Sequence, residues 1–228
     1  MIIDTIATLR SCYGEKFGVP RQSGLVDEAW GKLIFEPHYR NPDAVRGLEG
    51  FSHVWLIYSF HHTFNKDGSK REFQPTVRPP RLGGNEKLGV FATRSPFRPN
   101  PIGLSVVRLD RIELNSPKGP VLHLRGVDLV NGTPILDIKP YLPYADALPE
   151  ASAGFAPDAP NQLEIKWECP IPKDFSSETI QLIENTLALD PRPPYQVNSA
   201  NQREYGCLIN GRNVRWMVQD NEIWILSI

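Results

Sequence analysis

The sequence predicts a mainly β protein: a curled sheet or barrel, followed by a small α+β domain. Three observations predict it. Short β-branched and apolar runs alternate with turn residues from the N-terminus to about Tyr144. Only Ser176–Leu189 has convincing helical periodicity. Neither nucleotide cradle is complete: there is no GxGxxG, and Gly84 and Gly89 have P-loop spacing but Val90 stands where the lysine belongs.

Residues 1–9 (MIIDTIATL) are rich in β-branched side chains and read as a strand. Residues 10–27 hold Gly, Pro and mixed charge and read as a long loop. Trp30–Phe35 is a short strand ended by Pro37, and Asp43–Leu48 is one helical turn. His53–Phe60 is a near-continuous apolar run, the pattern of a strand buried on both faces. Residues 64–101 contain six prolines and Gly83-Gly84, which exclude regular helix over most of that stretch. Strands resume at Leu104–Leu114, Val121–Val130 and Thr133–Ile138, the last after an Asn131-Gly132 turn. Residues 147–161 are small, proline-rich and weakly charged. They divide the chain into a first domain (1–147), a linker (148–161) and a second domain (162–228). Gln162–Glu168 is a strand, and the helix that follows is capped by Asp174 or Ser176, with Ile180, Ile183 and Leu187 on one face and Pro191 as its stop. The tail is a meander: Glu204–Ile209, Asn210-Gly211, Val214–Gln219, Asp220-Asn221, Glu222–Ile228.

Of 228 residues, 22 are proline, roughly twice the ~5% average. The prolines cluster, so they indicate stiffened loops instead of disorder. The net charge of -1 gives no reason for bulk polyanion binding. Between Lys66 and Arg111, however, ten basic residues face four acids, an island of +6 in a remainder of -7. A local patch of this kind fits a phosphate-bearing partner engaged at one site, or an ordinary solvated surface. The longest unbroken apolar stretch, Val54–Tyr58, is far below the ~20 residues of a membrane span. Cys12, Cys169 and Cys207 are odd in number and form no CxxC, so a disulfide framework or zinc ribbon has no support, and a reducing cytoplasm is the simplest reading. His61 and His62 are adjacent, which on a strand sends them to opposite faces and argues against a metal site.

Three segments carry chemistry. In GVFATRSPFRPNPIGLS (residues 89–105), Pro96, Pro99 and Pro101 stiffen a loop that displays Thr93, Arg94, Ser95, Arg98 and Asn100, a set suited to a polar or anionic ligand. In PILDIKPYLPY (residues 134–144), Asp137 and Lys139 share one face of an extended chain and form an ion pair, with Tyr141 and Tyr144 beside them. Such a group does acid–base work or holds a cation, or it is an edge strand with a surface salt bridge. PTVRPPRLGG (residues 75–84) adds Arg78 and Arg81, which with Arg98 form a phosphate-contacting set.

These segments, with VPRQSGLVD, AVRGLEGFSHVWLIYSFH and DLVNGTPILDIKPYLPYAD, resemble the TsaA-like (YaeB, or TrmO-type) family over roughly residues 3–147. DPRPPY (Asp190–Tyr195) and NVRW (Asn213–Trp216) resemble the C-terminal domain of its bacterial members. The resemblance implies a single-sheet β-barrel N-terminal domain unlike the Rossmann methyltransferases. It implies an S-adenosylmethionine-dependent enzyme that methylates N6 of threonylcarbamoyladenosine beside the anticodon of tRNA. It further implies a homodimer with the cofactor near the subunit interface, and neither metal nor membrane. By the same resemblance, cofactor contacts fall on Pro20, Arg21, Gln22, His61, His62, Arg94, Leu104 and the stretch Ile135, Leu136, Asp137, Ile138. Arg78, Arg81, Arg98 and Arg215 serve the RNA backbone, and Tyr141, Tyr144 or Phe97 stacks a base. Asp137 is then the catalytic proton acceptor, oriented by Tyr141, with Lys139 holding it ionised or contacting the threonyl carboxylate. The residues taken without the resemblance fit a non-catalytic RNA-binding module equally well, and a small-molecule hydrolase less well.

Overall fold

The computed structural model describes residues 2–65, 67, 69, 72–197 and 203–228, and no side-chain detail at 194 and 195. Lys66, Lys70 and Arg71 of the basic island lie outside the described residues. In chain order the elements are β1 (Ala7–Ser11), β2 (Gly31–Phe35), β3 (His53–Ser59), β4 (Thr76–Val77), β5 (Leu88–Gly89), β6 (Ile102–Ser116), β7 (Gly119–Arg125) and β8 (Thr133–Pro140). Then come α1 (Pro143–Asp146), β9 (Glu164–Trp167), α2 (Ser177–Ala188), α3 (Pro194–Val197), β10 (Tyr205–Ile209), β11 (Arg212–Gln219) and β12 (Glu222–Ser227).

Six strands close a barrel in the order β1-β2-β7-β6-β3-β8, all paired antiparallel, and β4 with β5 forms a small separate ribbon. The mainly β barrel read from the sequence is the observed fold. Period-two alternation puts one face of each strand inside. Ala7 and Leu9 on β1, Leu33 and Phe35 on β2, Val54, Leu56 and Tyr58 on β3, and Leu122 and Leu124 on β7 fill the interior.

Three local expectations change. The β3 run is buried on one face only, because a barrel wall has a single core side; His53, Trp55 and Ile57 face outward, half-buried. The first strand begins at Ala7, and Ile2 and Ile3 are exposed. The strand expected to reach Val130 stops at Arg125, where Gly126 at φ 70 turns the chain into a loop. A Cβ at Gly126 would stand 3.3 Å from Gly24, so glycine lets these two loops touch, and Gly24 N–H donates to the Gly126 carbonyl at 2.9 Å.

β6 is the element that shapes the site. Its first half, Ile102–Arg108, pairs with β3; its second half, from Arg108 onward, pairs with β7. The strand therefore exchanges partners at Arg108, and Ile102–Val107 has no β7 partner along its other edge. Gly103 leaves room for Tyr58 to lie across this half, since a Cβ there would stand 2.3 Å from the phenol ring.

The second unit is a four-stranded sheet, β10-β11-β12-β9, with α2 packed on β9. Both hairpin turns hold two consecutive positive φ angles, 50 and 77 at Asn210-Gly211 and 51 and 64 at Asp220-Asn221, as their sequences dictate. Ser176 caps α2 by accepting from Thr179 N–H at 3.1 Å, which contributes about 1 kcal/mol. Asp174, the alternative cap, instead pairs with Arg212 at 2.6 Å. The helix buries Leu182, Ile183 and Leu187, while Ile180 is only half-buried.

One apolar core runs through both units. Asn210 N–H donates to the Cys12 carbonyl at 2.7 Å, Trp30 Nε1 donates to Asn210 Oδ1 at 3.1 Å, and Arg125 pairs with Glu178. Residues 148–161 contain neither helix nor strand.

Candidate active site

An open cleft of about 420 Å³ lies at one end of the β8–β3–β6 wall, lined by His53 and Trp55 at the start of β3, by Leu104–Val106 on the unpartnered half of β6, by Tyr141 and Asp146 after β8, and by Ser23 and Arg94 from two loops; Asp137, Lys139, His61, His62 and residues 20–22 lie outside its lining. The registers fix two rows across this wall: Asp137, Ile57 and Leu104 form one, and Lys139, Trp55 and Val106 the next. Asp137 and Lys139 form the ion pair their spacing predicts, at 3.0 Å, with 47% and 63% of their side chains exposed. An ion pair this exposed contributes little stability, about 0–1 kcal/mol, so stability alone does not explain it. Tyr141 closes one end, its ring 6.0 Å from Trp55 and 6.3 Å from His53. The Trp55 indole donates to Asp146 Oδ2 at 3.0 Å, and Leu142 N–H donates to the same oxygen at 2.8 Å, so one carboxylate anchors both sides of that end.

The other side is built by loops. Gln22 accepts a hydrogen bond from Arg94 Nη1, and Arg94 and Ser23 line the cleft with Leu104 and Ser105. Burial lowers the Arg21 pKa, and its guanidinium feels Asp190 from the C-terminal unit and Arg81 from the basic loop. His61 and His62 occupy a 3-10 turn, not a strand, and their rings lie 4.0 Å apart on one side of the chain. Burial first, then neighbouring charge from Lys16 (and for His61 also His62), pushes both imidazoles down, so both are neutral at pH 7. Lys16 Nζ donates to the His62 carbonyl at 3.2 Å, tying this turn to the loop that precedes Pro20. Among the described residues, no group of three His, Cys, Asp or Glu side chains could hold a metal ion. Burial pushes the Cys12 and Cys207 thiols up to about 12, which removes them as nucleophiles.

The stiff loop 89–105 works differently from the display platform its sequence suggests. Thr93 Oγ1 donates to the Val90 carbonyl at 2.8 Å and accepts from Ser95 N–H at 3.2 Å; Ser95 Oγ accepts from Phe97 N–H at 3.2 Å. Arg98 Nη1 donates to the Thr93 carbonyl at 2.7 Å and the Val90 carbonyl at 3.3 Å, and its guanidinium lies 5.7 Å from the Phe91 ring centre. The hydroxyls and Arg98 thus hold the loop's shape, and Arg94 is the side chain the loop delivers to the cleft.

The family model described as the tRNA-methyltransferase O N-terminal domain matches residues 8–147, and the TrmO C-terminal domain matches residues 155–228. The chain belongs to the tRNA-methyltransferase O family. It is 46% identical over 224 residues to a tRNA (adenine(37)-N6)-methyltransferase of Escherichia coli (strain K12), covering 95% of this chain and 93% of that one. It is 42% identical over 221 residues to a putative S-adenosylmethionine-dependent methyltransferase of Pseudomonas aeruginosa, covering 94% and 91%. A crystal structure of TrmO from Pseudomonas aeruginosa superposes with a TM-score of 0.75 at 35% identity, covering 100% of this chain and 97% of that one.

In this TrmO-family chain the segments assigned to the cofactor converge at the C-terminal end of β3. Ile57 stands between Leu104 and Asp137, and two residues past Ser59 the chain enters the His61-His62 turn. Lys16 and Arg94 attach the 16–22 loop to the same place. Within Ile135–Ile138, Ile135 is fully buried in the core and its carbonyl is taken by Ile6 N–H at 2.8 Å; Leu136 sits at the bulge, and Asp137 faces outward. The arginines are more dispersed. Arg81 lies in the Pro80–Leu82 turn near Arg21, Arg78 follows β4, and Arg215 sits on β11 paired with Glu204. Trp55, Asp146, Ser23, Ser105 and Asp128 escape the sequence reading. For Asp128 a signal exists: it is an acid set inside the apolar run Val127–Val130.

Proposed function

We propose that the protein transfers a methyl group from S-adenosylmethionine to N6 of adenosine 37 in tRNA, the threonylcarbamoylated base beside the anticodon, as a cytoplasmic homodimer. The observation that carries this reading is the convergence of the 16–22 loop, the His61-His62 turn, Arg94, Leu104 and Asp137 around the C-terminal end of β3, in a chain whose relatives bear the names given above.

The residues fit the cofactor on structural grounds. Arg94 offers a guanidinium for a carboxylate, Leu104 and Val106 offer an apolar wall, and the sealed Asp128 Oδ1 has no hydrogen-bond partner among the described residues. Pro20, Arg21, Gln22, His61, His62, Arg94, Leu104 and the Ile135–Ile138 stretch would hold it. When bound, it supplies an electrophilic methyl group. The neutral imidazoles of His61 and His62 add hydrogen bonding without repelling a cation.

The target nitrogen belongs to a urea-like group, so its lone pair is delocalised and a positioned base contributes ~10²–10⁴-fold. Asp137 takes that proton, Lys139 pairs with it at 3.0 Å and reaches the threonyl carboxylate, and Tyr141 orients the base. The exposed aromatic edge of Tyr141 with Trp55 stacks an unpaired anticodon-loop base. Arg78, Arg81, Arg98 and Arg215 supply the field for the backbone. For Arg98 this is charge at a distance, since one amino group is engaged with two carbonyls. The dimer reading is supported by Ile102 and Leu104, apolar side chains 40% and 53% exposed on the outer face of β6.

Nucleoside mass spectrometry of bulk tRNA from cells with and without the protein tests the activity. Loss of the methylated threonylcarbamoyladenosine on deletion is the expected result, and an unchanged profile contradicts it. Calorimetry with S-adenosylmethionine in the absence of RNA separates this reading from an RNA-binding module, which gives no heat.

A further inference from the structure

Asp128 lies in the loop between β7 and β8, just beyond the last β6–β7 pairing at Arg108–Arg125. Its carboxyl is stabilised by the Ser105 side chain, its own backbone N–H and the Ser23 backbone N–H, and Ser105 and Ser23 belong to the cleft lining. Its Oδ1 is sealed from solvent and has no hydrogen-bond partner among the described residues. Ser105 in turn lies 3.4 Å from Tyr58 Oη, inside the barrel. A carboxylate with one oxygen sealed and unpaired is costly, and the proton acceptor assigned above, Asp137, leaves it unused.

The charged groups that face it are few. Arg94 acts on it from the 89–105 loop, and its charge is felt by the phenols of Tyr58 on β3 and Tyr13 after β1. Burial holds both phenols neutral well above physiological pH. Arg94 is turned toward Gln22, and Asp146, the carboxylate in the cleft lining, is committed to Trp55 and Leu142.

We propose that Asp128 is the residue by which the cleft tells its cationic cofactor from the neutral product of methyl transfer. This rests on the cofactor reading above. Cofactor and product differ by one methyl group and one positive charge. A pocket that admits the larger ligand cannot reject the smaller one by shape. Charge separates them: a fixed carboxylate in a low-dielectric wall attracts a sulfonium and gains nothing from a thioether. Asp128 stands under Ser105 in the cleft wall, in a loop that Gly126 joins to the Ser23-Gly24 segment. It needs no direct contact, because the interaction is Coulombic and is screened less where a carboxylate oxygen is sealed from water.

The test is calorimetric titration of the full chain with S-adenosylmethionine and with S-adenosylhomocysteine, for wild type and Asp128→Asn, at pH 8 and pH 5. Burial raises the Asp128 pKa to about 6, so the carboxylate is charged at the first pH and largely neutral at the second. At pH 8 the substitution weakens S-adenosylmethionine about tenfold and leaves S-adenosylhomocysteine within about twofold. The wild-type preference falls on moving to pH 5 by more than that of the variant; His61 and His62 also titrate near the site, and the variant subtracts their share. Equal loss for both ligands, or the same pH dependence in both proteins, overturns the proposal. If the variant melts, a wild-type preference unchanged between pH 8 and pH 5 overturns it as well. A wild type that binds neither ligand at pH 8 overturns the cofactor reading itself, a separate result.

Discussion

Tyr13 Oη lies 3.1 Å from Thr186 Oγ1, a buried hydrogen bond from the loop after β1 to the helix of the C-terminal unit. The ring of Tyr13 is almost fully buried, and its backbone bridges to Ile209. The two units are therefore joined by a polar contact set in apolar surroundings. Replacing Tyr13 by Phe costs about 1 kcal/mol and lowers the melting temperature by ~2–4 °C. A double-mutant cycle with Thr186→Val checks it: the two losses add to less than their sum, whereas strict additivity shows that the hydroxyls are not coupled.

Asp128 also makes a stability prediction with a definite sign. Its pKa is about 6 in the fold, against 3.8 for a free carboxyl. Between these values the folded state keeps a proton that the unfolded chain has lost. Stability therefore rises as pH falls from about 6 toward 4, and the cost of the buried charge is present in full above 6. Asp128→Asn removes that cost and stabilises the protein at pH 8 by up to about 3 kcal/mol, less what the Asn loses in hydrogen bonding. At pH 4 the gain disappears. Urea unfolding at the two pH values checks the difference, and an equal effect at both contradicts it.

Asp137→Asn slows single-turnover methylation, measured with the cofactor bound, by about 10²-fold or more. Pre-steady-state assays with cofactor and tRNA saturating isolate the step. A wild-type rate in the variant removes Asp137 from the chemistry and leaves its ion pair with Lys139 as a surface feature.

The basic loops predict a salt signature. The logarithm of tRNA affinity falls linearly with the logarithm of salt concentration, and Arg81→Ala reduces the slope by about one phosphate contact. Arg98→Ala behaves differently: it removes bonds to the Val90 and Thr93 carbonyls, so it loosens the loop that carries Arg94 and weakens cofactor binding too. Filter binding across a salt series, paired with calorimetry, distinguishes the two arginines. Identical behaviour argues against the staple role.

Features set by neighbours in the chain were legible. The two-residue turns of the meander, the Ser176 cap and the Asp137–Lys139 pair depend on residues within a few positions of one another, and each formed where the sequence places it. The convergence on β3 required strand registers, which local patterns do not encode. Trp55 looked like core because it lies in an apolar run, but the barrel gives that run only one buried side. Ser105 and Asp128 meet across a change of strand partners, so no spacing rule joins them. Arg98 read as a ligand-binding residue because composition shows a guanidinium but not the carbonyls that occupy it.

The exchange of partners at Arg108 gives β6 two unequal halves with respect to insertion and deletion. A one-residue slip confined to Ile102–Val107 would turn Leu104 and Val106 inward and Ser105 and Val107 outward, inverting the wall. The ladder from Arg108 to Ser116 could keep its register with β7 throughout. Length variation on one side of Arg108 is therefore a change of binding surface. On the other side, past the last β3 pairing, it is a change of barrel.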